Sequence, residues 1–150
     1  MDIFEFAKEK EKHAEEFYRD RAAKSPDKGL AEIFLLLANE EKKHFDLIEK
    51  MQAEVSAELT ETTVLSDAAA IFEKIREGAM KFSFDRSELE LYKEAQKIEQ
   101  NARDYYLDKA DQVEVQTQKD IFIKLAEEEK KHYFLLDNII DFVSRPQQWL

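Results

Sequence analysis

Two short stretches of this chain repeat each other, and the remaining residues can be laid out around them. Glu41-Lys42-Lys43-His44 and Glu129-Lys130-Lys131-His132 are one tetrapeptide written twice, at an offset of 88 positions (129 − 41). Each continues an apolar run of helical period, Leu37-Ala38 before the first and Leu125-Ala126 before the second. A lone Glu-x-x-His in a chain this rich in Glu and Lys reads as a surface contact between residues one turn apart. Two copies in register, both standing where a helix row requires a core residue, read as buried polar groups that must be partnered.

The same offset carries much more of the chain onto itself. Ala7/Ala95, Glu11/Glu99, Ala14/Ala102, Tyr18/Tyr106 and Ala22/Ala110 match, as do Ile33/Ile121, Phe34/Phe122 and the whole run from Glu40 to His44. Four rows with alternating spacings of three and four follow from this. The first is Phe4, Ala7, Glu11, Ala14, Tyr18 and Arg21 or Ala22. The second is Leu30, Phe34, Leu37, Glu41, His44, Ile48, Met51 and Val55. Tyr92, Ala95, Glu99, Ala102, Tyr106, Ala110 and Val113 make the third, and Phe122, Leu125, Glu129, His132, Leu136, Ile139 and Val143 the fourth. Two copies of one helical hairpin predict an all-α four-helix bundle with approximate twofold symmetry.

Boundary signals place the elements. Asp2 with Glu5 predicts a capped start for a helix over about 3–23, and Ser25-Pro26-Asp27-Lys28-Gly29 a turn after it. The second helix is expected to reach about residue 55. Between the hairpins lies a long crossover over about 64–86, in which Ser66-Asp67 predicts the cap of a short helix reaching about Phe82. Ser87 with Glu90 predicts a capping box opening the third bundle helix at about 88, and Thr117 a cap for the fourth. Ser144-Arg145-Pro146 ends that helix and leaves a short tail.

Composition narrows the classes. The chain of 150 residues fits one domain, and only 2 Gly and 2 Pro favour long helices. A formal charge of −11 argues against nucleic acid and anionic membrane surfaces as partners. The absence of Cys excludes disulfides, iron–sulfur clusters and thiolate metal sites. With neither a leader-like segment nor a membrane-length apolar run, the expected location is the cytoplasm.

The inward rows hold four carboxylates and two imidazoles: Glu11, Glu41, His44, Glu99, Glu129 and His132. Burying four carboxylates without counter-charge costs several kcal/mol per ion. Two divalent cations offset that charge, and oxygen and nitrogen ligands suit iron or manganese, with zinc also accommodated. Of the three, iron brings peroxide or dioxygen chemistry.

With those residues in place, the chain resembles the ferritin-like di-iron carboxylate proteins, in which one Glu from each of two helices joins a Glu-x-x-His from each of the others. The run Ala7 to Tyr18, then Ile33-Phe34 and Leu37 to His44, looks most like the rubrerythrin family, over about residues 3–55 and 88–143. That resemblance implies that the six residues are iron ligands, with Glu41 and Glu129 bridging. It makes Tyr18 and Tyr106 hydrogen-bond donors to the carboxylates. Rubrerythrins proper carry a further Glu where this chain has Ala102, and a cysteine-bound iron centre that a chain without Cys does not have. The resemblance therefore implies an external electron donor. It also implies a small homo-oligomer, such as a dimer, rather than a ferritin shell. Three functions stay open: an oxidoreductase acting on peroxide or dioxygen, an Fe(II)-oxidising metal-handling protein without turnover, and a bundle whose metal is structural. His13 is expected to be solvated, and Lys42, Lys43, Lys130 and Lys131 to form a solvated face.

Overall fold

Apolar residues at helical spacing, with almost no glycine or proline to interrupt them, fold among the described residues as five helices and a terminal 3-10 turn. These are α1 (Ile3–Lys24), α2 (Lys28–Gln52), α3 (Val64–Arg76), α4 (Leu89–Gln112), α5 (Gln116–Ser144) and the turn Pro146–Gln148. The computed structural model describes residues 2–54, 56–80, 82 and 86–149. Val55 and Leu150 lie outside the described residues. Among the described residues, no helix is long and apolar enough to cross a membrane.

The repeat survives folding to the residue at both hairpin turns. α1 ends at Lys24 and α2 begins at Lys28, while α4 ends at Gln112 and α5 begins at Gln116, so both ends keep the offset of 88 (112 − 24 and 116 − 28). Such short links force antiparallel pairs, α1 with α2 and α4 with α5. Cross-hairpin bonds set the remaining directions. Tyr18 meets Glu99 while Glu11 meets Tyr106, so α1 and α4 run antiparallel. α2 therefore ends at the opposite end of the bundle from the start of α4. The crossover must travel the bundle's length, and α3 lies on that path.

Of the expected helix starts, Asp2 stands as read: it caps α1, its side chain accepting the Glu5 N–H at 2.8 Å. The other three move. Thr63, not Ser66-Asp67, precedes α3, because Val64 is already buried in the core and the helix must begin there. α3 also stops at Arg76, six residues short of Phe82. Gly78 at φ 79° turns the chain, and the Gly78 and Ala79 N–H groups close onto the Ile75 and Lys74 carbonyls. Glu88 rather than Ser87 precedes α4, and its carboxylate is held by Arg21 of α1 at 3.3 Å and by the Tyr92 hydroxyl at 3.2 Å. Val115 rather than Thr117 precedes α5.

The inward rows pack as two apolar clusters. Tyr18, Phe34, Phe72 and Phe142 belong to one, and Ile48, Tyr106, Phe122 and Leu125 to the other. α3 seals the first cluster with Ala68, Ile71, Phe72 and Ile75. Gly29, in the first turn of α2, lies close against it, since a Cβ there would lie 2.7 Å from Ile75 Cδ1 and 3.2 Å from Cγ1. The repeat places Thr117 opposite Gly29; Thr117 is exposed, whereas Gly29 is buried against α3. Gly29→Val is therefore expected to destabilise the fold by about 1–3 kcal/mol through overpacking. Urea titration of the two proteins measures this, and Thr117→Val serves as the control that should change little.

Candidate metal centre

Each bundle helix brings polar groups to the same depth. α1 supplies Glu11, α2 Glu41 and His44, α4 Glu99, and α5 Glu129 and His132, none more than 1% exposed. All six sequence-predicted residues come together. They form two groups whose potential ligand atoms lie within 4.8 Å of one another: Glu11, Glu41, His44 and Glu129, and Glu41, Glu99, Glu129 and His132. Glu41 and Glu129 belong to both groups, and each crosses to the other hairpin's imidazole. His44 Nδ1 lies 2.9 Å from Glu129 Oε1, and His132 Nδ1 lies 2.7 Å from Glu41 Oε1. The outer carboxylates are farther off, Glu11 at 3.5 Å from His44 Nδ1 and Glu99 at 3.6 Å from His132 Nδ1. The two rings are nearly parallel, with centroids 5.7 Å apart.

Tyrosines flank this polar layer on both sides. The Tyr18 hydroxyl donates to Glu99, and the Tyr106 hydroxyl donates to Glu11, so each tyrosine reaches the glutamate of the other hairpin. Tyr18 stacks on Phe34 and Tyr106 on Phe122, which fixes both rings within the apolar clusters. Burial, then the neighbouring carboxylates, push both phenols well above their usual range, so they stay protonated and donate. Tyr18→Phe and Tyr106→Phe should each cost about 1.5–3 kcal/mol of folding stability, the worth of a hydrogen bond to a charged group. Denaturant melts of the metal-free variants measure that loss.

The electrostatics are those of acids confined too closely. Burial first, and then the surrounding carboxylates, push Glu41 and Glu129 well above the usual carboxyl range. Burial also raises Glu11 and Glu99, but it is overcome. For Glu11 the charge of His44 prevails, and for Glu99 hydrogen bonding to Glu129 and the charge of His132, so both end below their usual value. Burial pulls His44 down, yet the charge and hydrogen bonds of Glu11, with those of Glu128 and Glu129, hold it well above an ordinary imidazole. Among the described residues, Glu11 Oε2, Glu99 Oε2 and His132 Nε2 are buried with no hydrogen-bond partner, while Glu41 Oε1 and His132 Nδ1 face each other. Buried polar atoms left unpaired are costly, and here they converge on one point. A carboxylate and imidazole donor set of this kind can hold divalent cations.

Sequence reasoning missed Glu128. It is buried, and its carboxylate lies 2.6 Å from His44 Nε2 and accepts the Thr62 backbone N–H at 3.1 Å. Burial pushes its carboxyl up, but the His44 bond and charge prevail and leave it below the usual value. Its repeat mate Glu40 accepts from the Thr62 hydroxyl instead. Glu40, His44 and Glu128 form a third group of close ligand atoms. The available signal was that Glu40 and Glu128 belong to the repeated run, although both stand off the inward row. Their burial depends on the crossover, which no local pattern reports. The lysine face also changes, since Lys43 donates to the Thr60 carbonyl at 2.6 Å and helps tie the crossover down. His13 is exposed, as expected.

A cavity of about 240 Å³ opens between α1 and α4 and reaches Glu11, Glu41 and Glu129. Ala14 and Ala102, repeat mates, line its sides, and His13 and Lys10 stand among its outer residues. Small side chains at both positions leave the passage open. Comparison with curated proteins gives no match, and comparison with solved structures gives none either. Among protein families, the one described as Rubrerythrin has a model that matches residues 2–140.

Proposed function

The chain belongs to the rubrerythrin family, and from that membership we propose that it is a non-haem di-iron oxidoreductase that reduces peroxide or dioxygen with electrons from an external donor. The supporting observation is the convergence of four carboxylates and two imidazoles, several of whose buried atoms have no hydrogen-bond partner among the described residues. That donor set fits two divalent ions. Glu11 and His44 would hold one, Glu99 and His132 the other, and Glu41 and Glu129 both. Iron bound there supplies electrons by cycling between Fe(II) and Fe(III).

The chain's own residues do the rest. Two apolar clusters exclude water from above and below the polar layer, which strengthens every charge interaction inside it. The Tyr18 and Tyr106 hydroxyls orient Glu99 and Glu11 through bonds that cross between hairpins. Glu41 and Glu129, with pKa values raised by burial and by each other's neighbours, can carry protons beside the cavity. The cavity has room for peroxide or dioxygen beside Glu11, Glu41 and Glu129.

One observation supports a second reading, in which the site oxidises Fe(II) without turnover: the sequence contains no Cys to relay electrons within the chain. Stopped-flow mixing of the iron-loaded, reduced protein with peroxide, with and without a supplied reductant, distinguishes the two. Repeated oxidation and re-reduction is the expected result, whereas a single stoichiometric oxidation that added reductant cannot restart would exclude the enzyme. Ala102→Leu fills the cavity wall and should slow oxidation by peroxide about tenfold, equivalent to about 1.4 kcal/mol, with metal content unchanged. Metal analysis alongside the kinetics checks both halves of that expectation.

A further inference from the structure

The two halves of the cluster follow one repeat, yet the chain treats their histidines differently. Both imidazoles turn Nδ1 toward the carboxylates. Behind His44, Nε2 meets Glu128 at 2.6 Å, and the other oxygen of that carboxylate takes the Thr62 N–H at 3.1 Å. Behind His132, Nε2 is buried and has no hydrogen-bond partner among the described residues. The repeat makes Glu40 the counterpart of Glu128 on the His132 side, but Glu40 is engaged by the Thr62 hydroxyl and by Lys43 at 3.7 Å. A single crossover passes over a seam with two equivalent sides, so it can complete only one of them.

We propose that Glu128 is a positioning residue that fixes the His44 ring and makes the metal position on that side the tighter of the two. The inference rests on the six-ligand reading given above. An imidazole whose outer nitrogen is held by a carboxylate has its ring orientation and tautomer set, and presents the inner nitrogen as a stronger donor. His132, without that support, must be fixed by the ion itself. Because the clamp also holds the Thr62 N–H, filling the His44 side should steady the crossover around residues 60–63.

Titration of the metal-free protein with Co(II), followed by its visible absorption, tests the proposal. The parent should bind two ions in two resolved steps. Glu128→Ala should weaken the first step by about 10–100-fold and merge it with the second. Glu128→Gln, which retains an acceptor oxygen, should recover part of the loss. Glu40→Ala, which removes the repeat-equivalent carboxylate, should leave the two steps separate. Hydrogen exchange at the Thr62 amide should slow after the first equivalent of Co(II) in the parent and not in Glu128→Ala. The separation of the two Co(II) steps moves only if the His44 side is affected, so general loosening of the fold does not imitate that readout. Two steps in Glu128→Ala with parental affinities would overturn the clamp and leave the ligand set standing. A parent that binds no Co(II) would overturn both.

Discussion

Glu41→Gln is expected to lose both metal ions, whereas His132→Ala should keep one. Glu41 belongs to both groups of close ligand atoms, and His132 to one only. Metal analysis after loading and gel filtration should therefore give two ions per chain for the parent, about none for Glu41→Gln and about one for His132→Ala. The same substitution should act in the opposite direction on the metal-free fold. Glu41 is a buried acid raised well above its usual range by burial and then by Glu11, Glu129 and Glu99. Replacing it with a neutral amide of the same shape removes that repulsion. Replacing a buried ion pair by well-packed apolar residues is commonly neutral or stabilising by about 1–4 kcal/mol, and removing one of several crowded like charges acts in the same direction. Chemical denaturation under chelator at mildly alkaline pH should show the variant at least as stable as the parent. Equal metal content in the parent and Glu41→Gln would remove the shared-carboxylate reading.

The second large effect is the dependence of metal stabilisation on pH. Glu41, Glu129 and His44 all have pKa values raised in the folded protein, above ordinary values of 4.5 for the acids and 6.5 for the imidazole. Groups of that kind contribute stability that is fully present below the ordinary value and is lost as pH rises through the folded one. Glu11 and Glu99 are lowered, so their contribution is present above 4.5 and is lost only as pH falls through their folded values. Above about pH 5 the first set alone still titrates, so the metal-free protein should weaken steadily with rising pH. Bound cations replace those protons, and their affinity rises as the ligands deprotonate. Each ion at a hundredfold excess over its dissociation constant adds about 2.7 kcal/mol. Two together should raise the melting temperature by roughly 10–20 °C in a chain of this size. Calorimetry at about pH 6 and about pH 9, with metal or with chelator, should show the gap between the curves widening at the higher pH. A gap that narrows would contradict the assignment of those protons.

Much of this protein could be read before any coordinates. The offset of 88 located the two hairpins, and the structure keeps it at both turns. The rows around Glu11, Glu41, Glu99 and Glu129 placed those residues on buried faces, because a helix repeats its facing direction every three to four residues. Helix starts were less legible. Ser87 and Thr117 have the chemistry of caps, but at Glu88 the contacts with Arg21 and Tyr92 hold the start of α4. Those are contacts from other parts of the fold, and a local motif does not register them.

The sequence by itself determined the helical class, the duplication and the six polar residues on the inward rows, since periodicity and residue type are local properties of the chain. Only the tertiary structure decided that Tyr18 serves Glu99 rather than the glutamate of its own helix, and that Glu128 is buried behind His44. It also decided that the two imidazoles differ. A repeat makes its halves alike, but the crossover between them occurs once, and it can lie against only one side of the seam it covers.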